Sequence, residues 1–242
     1  MKITFTNLRK EFGDKIAVNI ENLDVKPGTL LGIVGNNGAG KTTLFRLTLD
    51  LLRPDSGEVI TQFVNSDGTT FGTDVKVSEE WKVYTGAYID ENFLIDFLTP
   101  EEYFEFIAKA NDISKSAMIE RIEKFSHFMN EEIVGKNNII RSMSAGNKQK
   151  IGIISAMLNE PQLLILDEPF NFLDPSSQNI LKKILVEYNK ATGATILISS
   201  HNLSHTMDIC NRIVIMEHGC IVKDFSEPNS NTRQELEEYF NK

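Results

Sequence analysis

The chain has 242 residues, with 25 lysines and arginines against 34 aspartates and glutamates, a formal charge of −9; apolar residues make up 41% and charged residues 24%. This is a globular balance, which excludes a disordered or fibrous chain, and the acidic excess argues against a surface that wraps nucleic-acid phosphates. Cys210 and Cys220 form no CxxC pair, which argues against a disulfide framework or a zinc site, and no uncharged apolar run reaches the roughly 18 residues of a membrane span. The opening MKITFTNLRKEFGDK lacks the apolar stretch of a secretory signal.

In chain order, MKITFTNL alternates as a strand, IAVNIENLDV follows it, and TLLGIVG is an apolar run ending in glycine, the mark of a strand buried on both faces. KTTLFRLTLDLLR carries a helix pattern up to Pro54. GEVITQFV and KVYTGAYI read as strands, and the polar SDGTTFGTDVKVSEEW between them reads as a surface hairpin or loop. Thr99, Pro100 and Glu102 predict a capped helix whose Tyr103, Phe106, Ile107 and Ala110 share a face. A second helix is expected over SKSAMIERIEKFSHFM and a third from about Ser144. They are followed by strand LLILD, helix SSQNILKKILVEYNKA, strand ATILISS and a terminal hairpin around His218-Gly219. The series predicts an α/β layered fold with a mainly parallel central sheet, an antiparallel β portion near the start, and a helical lobe inserted from roughly Phe93 to Lys136.

Three segments carry chemistry. Gly35-Asn36-Asn37-Gly38-Ala39-Gly40-Lys41-Thr42 fits G-x-x-x-x-G-K-[ST] between a buried strand and a helix, with Thr43 in the first helical turn. Glycines let the backbone curl so that N–H groups converge on phosphate oxygens, and the helix N-terminus adds positive charge there. Lys41 is expected to reach the β- and γ-phosphates and Thr42 to offer its hydroxyl to Mg²⁺. Leu163-Leu164-Ile165-Leu166 ends abruptly in Asp167-Glu168, carboxylates that are costly at a buried strand end unless they meet a cation or a reacting group. Asp167 is expected in the Mg²⁺ shell and Glu168 as base for an attacking water. The third segment, Met143-Ser144-Ala145-Gly146-Asn147-Lys148-Gln149-Lys150, is on its own a helix start with Ser144 as N-cap. From residues alone the expectation is a Mg²⁺-dependent P-loop nucleotide hydrolase.

The order of the three segments, with Asp167-Glu168-Pro169 about 20 residues beyond the Ser-x-Gly helix start, resembles an ABC-family ATP-binding cassette from Ile3 to about Lys223. Met143 to Asn147 is similar to the family's LSGGQ signature at Ser144 and Gly146 and departs from it at the first, third and fifth positions. The resemblance implies that the signature of one copy closes over ATP held by the P-loop of another, so that ATP sandwiches a homodimer. It further implies that Phe12 stacks on adenine, that Asp174, in Asn171-Phe172-Leu173-Asp174, belongs to a D-loop along the dimer interface, and that His201 is the switch histidine facing the γ-phosphate. Glu91 falls where the family carries a glutamine near the metal, which implies a Mg²⁺ ligand of changed charge. The 62–80 loop is longer than is usual in the family. The implied organisation is one cassette, with residues 1–92 and 137–223 as catalytic core, about 93–136 as helical subdomain and 224–242 as a C-terminal tail helix.

What the resemblance implies for function stays divided between classes. One reading is the ATP-hydrolysing subunit of a transporter, resembling those paired with ABC-2-type exporters. It would sit peripherally on the cytoplasmic face of the membrane and power a separate integral permease, with Phe93, Phe97, Tyr103 and Phe106 helping to form the groove for the permease. The others are a soluble non-transport ATPase, like the cassette serving iron–sulfur assembly, and a slow ATP-gated clamp, which Glu91 leaves open.

Overall fold

Alternation in the opening segment turns Ile3 and Phe5 inward, and a bulge at Asn7, with φ 47°, brings Leu8 rather than Asn7 in after them. In the computed structural model, which describes residues 1–64, 67–229, 232, 235, 236, 238 and 239, this segment is β1 (Lys2–Phe12), antiparallel to β2 (Lys15–Val25). The all-apolar β3 (Leu30–Val34) leads through the glycine-rich loop into α1 (Lys41–Thr48). β4 (Ser56–Val64) and β5 (Thr70–Asp74) complete a four-stranded antiparallel sheet of order β2-β1-β4-β5. The expected surface hairpin is therefore present and adds a strand; residues 65 and 66 lie outside the described ones.

β6 (Thr85–Tyr88) is shorter than the expected strand, because Glu80–Tyr84 winds into a 3-10 turn that buries Trp81. The helical lobe follows with α2 (Pro100–Ala110), α3 (Lys115–Glu123) and α4 (Ser126–Met129). Thr99 and Glu102 cap α2 reciprocally, as the spacing predicts. The single helix expected over 114–129 breaks at Lys124–Phe125. Met118, Phe125, Phe128 and Met129 are all buried across the break, so the apolar phase runs through it unchanged. α5 (Ala145–Met157), β7 (Leu163–Leu166), α6 (Pro175–Thr192), β8 (Thr195–Ser200), α7 (Leu203–Ile209), β9 (Arg212–Glu217) and β10 (Cys220–Ser226) complete the chain. The tail helix expected over 224–242 starts too early, since β10 reaches Ser226, and half of its remainder falls outside the described residues.

The six-stranded sheet has order β10-β9-β3-β8-β7-β6, parallel throughout except for β10 against β9. Its strands feed two cores by simple alternation. Leu31, Ile33, Leu163, Ile165, Leu197 and Val214 face α1 and the antiparallel sheet. Leu30, Val34, Leu164, Leu166, Ile196 and Ile198 face α5, α6 and the helical lobe. Two-sided burial explains why these strands read as continuous apolar runs. It also places the carboxyl ends of β3, β7 and β8 side by side at one edge.

Candidate functional site

The loop between β3 and α1 needs glycine for space as well as conformation. A Cβ on Gly35 would lie 2.2 Å from the Met216 carbonyl oxygen, and one on Gly40 would lie 2.2 Å from that of Ala17, with Gly40 at φ 107°. Gly40 caps α1 with no side-chain hydrogen bond, and the helix's first turn holds no acid. First-turn N–H groups have no carbonyl one turn back within the helix, so this end is electropositive and open to an anion. Asn37, Gly38, Ala39, Gly40, Lys41, Thr42 and Thr43 line a cleft of about 250 Å³ together with Phe12, Lys15, Ala17 and Glu168. Gly35 and Asn36 act from behind it, their carbonyl oxygens accepting from Lys41 Nζ at 2.6 and 3.4 Å. Phe12 is 52% exposed, so its ring stands at the cleft mouth rather than in the core, with Lys10 Nζ 5.6 Å from its centroid.

The acidic pair sits directly opposite. Thr42 Oγ1 donates to Asp167 Oδ2 at 2.5 Å, and Ser199 Oγ donates to Asp167 Oδ1. Burial is the largest influence on the Asp167 carboxyl and pushes it up, with Glu168 acting the same way. Hydrogen bonds from Ser199 and Thr42 and the charge of Lys41 oppose this, leaving the group above its ordinary value. A cation would relieve that cost. Among the described residues no three His, Cys, Asp or Glu side chains form a cage that could hold a metal by themselves. One carboxylate and one hydroxyl fit an ion that takes its other ligands from phosphate and water, as Mg²⁺ does.

Glu168 follows at φ 46°, a left-handed conformation that costs a non-glycine residue on the order of 1 kcal/mol. It is held from three sides. Its N–H donates to Ser199 Oγ at 2.7 Å, its carbonyl accepts from Gln149 Nε2 at 3.2 Å, and its Oε2 lies 2.8 Å from His201 Nδ1. Its Oε1 lies 3.3 Å from Lys41 Nζ, so the lysine and the base face each other across the cleft. Ser199 and Gln149 are the residues that sequence reasoning missed. Ser199 had a signal, since in a strand it shares a face with His201 two positions on. Gln149 is a buried polar residue on α5 whose target lies on another element, which no local pattern reveals.

The remaining expected residues are placed as follows. Ser144 caps α5 by accepting from Asn147 N–H at 3.2 Å. A Cβ on Gly146 would come within 2.7 Å of the Phe172 carbonyl oxygen, so α5 packs closely on the loop after β7. Phe172 itself is 73% exposed. Asp174, expected along a dimer interface, is the N-cap of α6; it accepts from the N–H groups of Ser176 and Ser177 and from the Ser177 hydroxyl at 2.6 Å. Those bonds hold its carboxyl below its ordinary value. Glu91 lines a second cleft, about 290 Å³, with Asp167, Glu168 and Gln149. Its Oε2, however, is paired with Lys148 Nζ at 3.0 Å and not with the Thr42–Asp167 pair. The Glu91–Lys148 pair is partly exposed and contributes about 1 kcal/mol or less. Glu91→Gln is therefore expected to keep the parental melting temperature within a few degrees and to retain or raise ATPase activity. A loss of more than about tenfold, or roughly 1.4 kcal/mol, would show that the carboxylate itself is needed.

Comparison with known proteins shows the family of the chain. A family model described as ABC transporter matches residues 18–171. The chain is 35% identical over 221 residues to the bacitracin transport ATP-binding protein BcrA of Enterococcus faecalis, covering 90% of this chain and 67% of that protein. It is 32% identical over 227 residues to the methionine import ATP-binding protein MetN 2 of Bacillus thuringiensis subsp. konkukian, covering 91% of this chain and 64% of that one. The chain thus spans about two thirds of the length of these relatives. A solved ATP-binding subunit of an ABC transporter superposes with a TM-score of 0.79 at 25% identity, covering 98% of this chain and 94% of the other.

Proposed function

The chain belongs to the ABC transporter family as an ATP-binding, ATP-hydrolysing cassette, and we propose that it powers export through a separate integral membrane permease. One observation carries the chemistry: Lys41 and Thr42 at the start of α1 meet the residues just past β7, Lys41 facing Glu168 and Thr42 bonded to Asp167, and His201 just past β8 bonds Glu168. In this reading the loop amides and Lys41 bind the ATP phosphates, and Phe12 stacks on the base. Thr42 and Asp167 hold Mg²⁺, which when bound neutralises phosphate charge and orients the terminal phosphate. Glu168 takes the proton of the attacking water, and His201 keeps that carboxylate aimed by its hydrogen bond. Ser144 and the backbone at Gly146 close over the ATP of a second copy, since a helix start that presents N–H groups favours an anion. Every element of the composite site is present once in this chain, so a homodimer is chemically sufficient.

No helix among the described residues is long and apolar enough to cross a membrane, and the permease of this reading is a separate chain. Its docking surface is a groove of about 400 Å³ lined by Leu49, Leu51, Trp81, Ile89 and Phe93. Of the aromatic residues expected there, Phe93 lines the groove. Phe97 and Phe106 are exposed elsewhere on the lobe, and Tyr103 is buried in the core. Affinity purification of tagged Glu168→Gln with ATP from detergent-solubilised native membranes is expected to recover one integral membrane protein in stoichiometric amount. Recovery of a soluble partner from cytosol, with nothing from membranes, would overturn the transport reading in favour of a soluble ATPase.

A further inference from the structure

Beyond Glu168 and Pro169 the chain buries Phe170, only 3% exposed, in a turn that carries two non-glycine residues in the left-handed region, Glu168 at φ 46° and Phe172 at φ 63°. Such a turn persists only where its surroundings over-determine it. Here they come from α6 and α7. Gln178, on α6, donates through Nε2 to the Phe170 carbonyl at 3.1 Å and to that of Leu173 at 3.2 Å. Lys182, one turn on, places Nζ 6.0 Å from the centroid of the Phe170 ring and donates to Asp208 of α7 at 2.7 Å. His205, one turn before Asp208, lies against the same Phe170 ring, with centroids 4.5 Å apart and planes at 32°.

His205 acts there as a flat ring. Its Nδ1 is buried with no hydrogen-bond partner, so the side chain is not kept for a bond at that nitrogen. Burial is the largest influence on its titration and lowers the pKa; Lys182 and His201 act the same way, while Asp208 and Glu168 oppose them, and the ring is neutral around pH 7. His205 also follows His201 by four residues, and His201 bonds Glu168 Oε2. One segment thus reaches the base twice, at its carboxylate and through the ring two residues on. We propose that His205 is a positioning residue for the hydrolytic base: by packing on Phe170 it fixes the turn that holds the Glu168 backbone, and with it the aim of the carboxylate at the attacking water. The rigid φ of Pro169 between them passes a shift of Phe170 on to Glu168. The groups expected to hold ATP and metal take their bonds elsewhere, Lys41 to the Gly35 and Asn36 carbonyls and Asp167 from Thr42 and Ser199. The effect therefore falls on the chemical step and not on binding. This rests on the reading of Glu168 as the base and adds the residue that aims it.

The test is steady-state ATPase kinetics together with ATP affinity, measured on the whole chain. His205→Ala is expected to lower kcat about 10- to 100-fold, the cost of a misplaced reacting group, with ATP affinity within about twofold of the parental value. His205→Phe restores the ring and removes the unmet nitrogen, so it should bring kcat back to within about threefold and melt at or above the parental temperature. His205→Leu keeps the side-chain volume where alanine leaves a cavity, which guards against a variant that fails to fold. Without a flat face it should still lower kcat about three- to tenfold, the size of an aromatic pair's contribution beyond its area. Because the action runs through Phe170, adding His205→Ala to Phe170→Leu should cost no more than about twofold beyond Phe170→Leu alone. Parental kcat in the folded alanine or leucine variant, a fall in ATP affinity that accounts for the lost turnover, or costs that simply multiply in the double variant would each overturn the proposal. So would an inactive His205→Phe, which would mean that a ring nitrogen acts in the reaction itself. In a Glu168→Gln background, His205→Ala should leave the ATP-dependent dimer intact; its loss would assign the effect to the Phe172–Asp174 part of the turn instead. Parental hydrolysis by Glu168→Gln alone brings down the reading of the base, whereas an inactive Glu168→Gln beside an unaffected His205→Ala brings down only the role of His205.

Discussion

Replacing Lys41 with alanine is expected to reduce ATP affinity by about 100-fold or more, roughly 3 kcal/mol, because it removes a buried cation aimed at the phosphates. The ammonium group is held by the Gly35 and Asn36 carbonyls and faces Glu168, so its position is set before any ligand arrives. The same substitution leaves Glu168 Oε1 without a cation. That group is partly shielded, so the variant should also lose about 1–3 kcal/mol of stability in the nucleotide-free state. The two effects are separated by measuring the melting curve and titrating ATP on the folded variant. Unchanged nucleotide affinity in a folded Lys41→Ala protein would sink the assignment of the phosphate loop.

Glu168→Gln is expected to bind ATP at least as tightly as the parental chain while hydrolysis falls by about 10²–10⁴-fold, the usual contribution of a general base. The amide keeps the shape of the side chain and its reach to His201 but cannot take a proton. It also releases Lys41 from its facing carboxylate, which removes a competitor of the incoming phosphates. With turnover blocked, ATP should hold two copies together, so size-exclusion chromatography should show a dimer with ATP and a monomer without it. Hydrolysis at the parental rate would mean that another group accepts the proton.

The phosphate loop and the Asp167-Glu168 strand end could be read from the sequence because each is a local pattern: a buried apolar run stops, and residues with one physical reason to be there follow. The burial of β3 on both faces and the capped start of α2 were legible on the same grounds. What could not be read depends on elements that meet only in the fold. Ser199 reaches Asp167 from a neighbouring strand, Gln149 reaches the Glu168 carbonyl from α5, and Lys148 pairs with Glu91. The break between α3 and α4 escaped because the helix phase is kept across it. The early end of α1 escaped because its stop signal is an aspartate in a left-handed turn, not the later Pro54.

The parallel register of β3, β8 and β7 has a consequence for how activity is acquired. Val34 lies opposite Ser200, and Ile198 opposite Leu166, so Ser199 comes level with Asp167 and the phosphate loop opens beside His201. A slip of one residue in β8 would turn Ser199 to the other face and bring Ile198 or Ser200, according to its direction, level with Asp167. Turnover is thus an all-or-none reporter of native strand pairing: a mispaired chain that is still compact and apolar inside would be silent in an ATPase assay, and specific activity counts the correctly threaded fraction of a preparation.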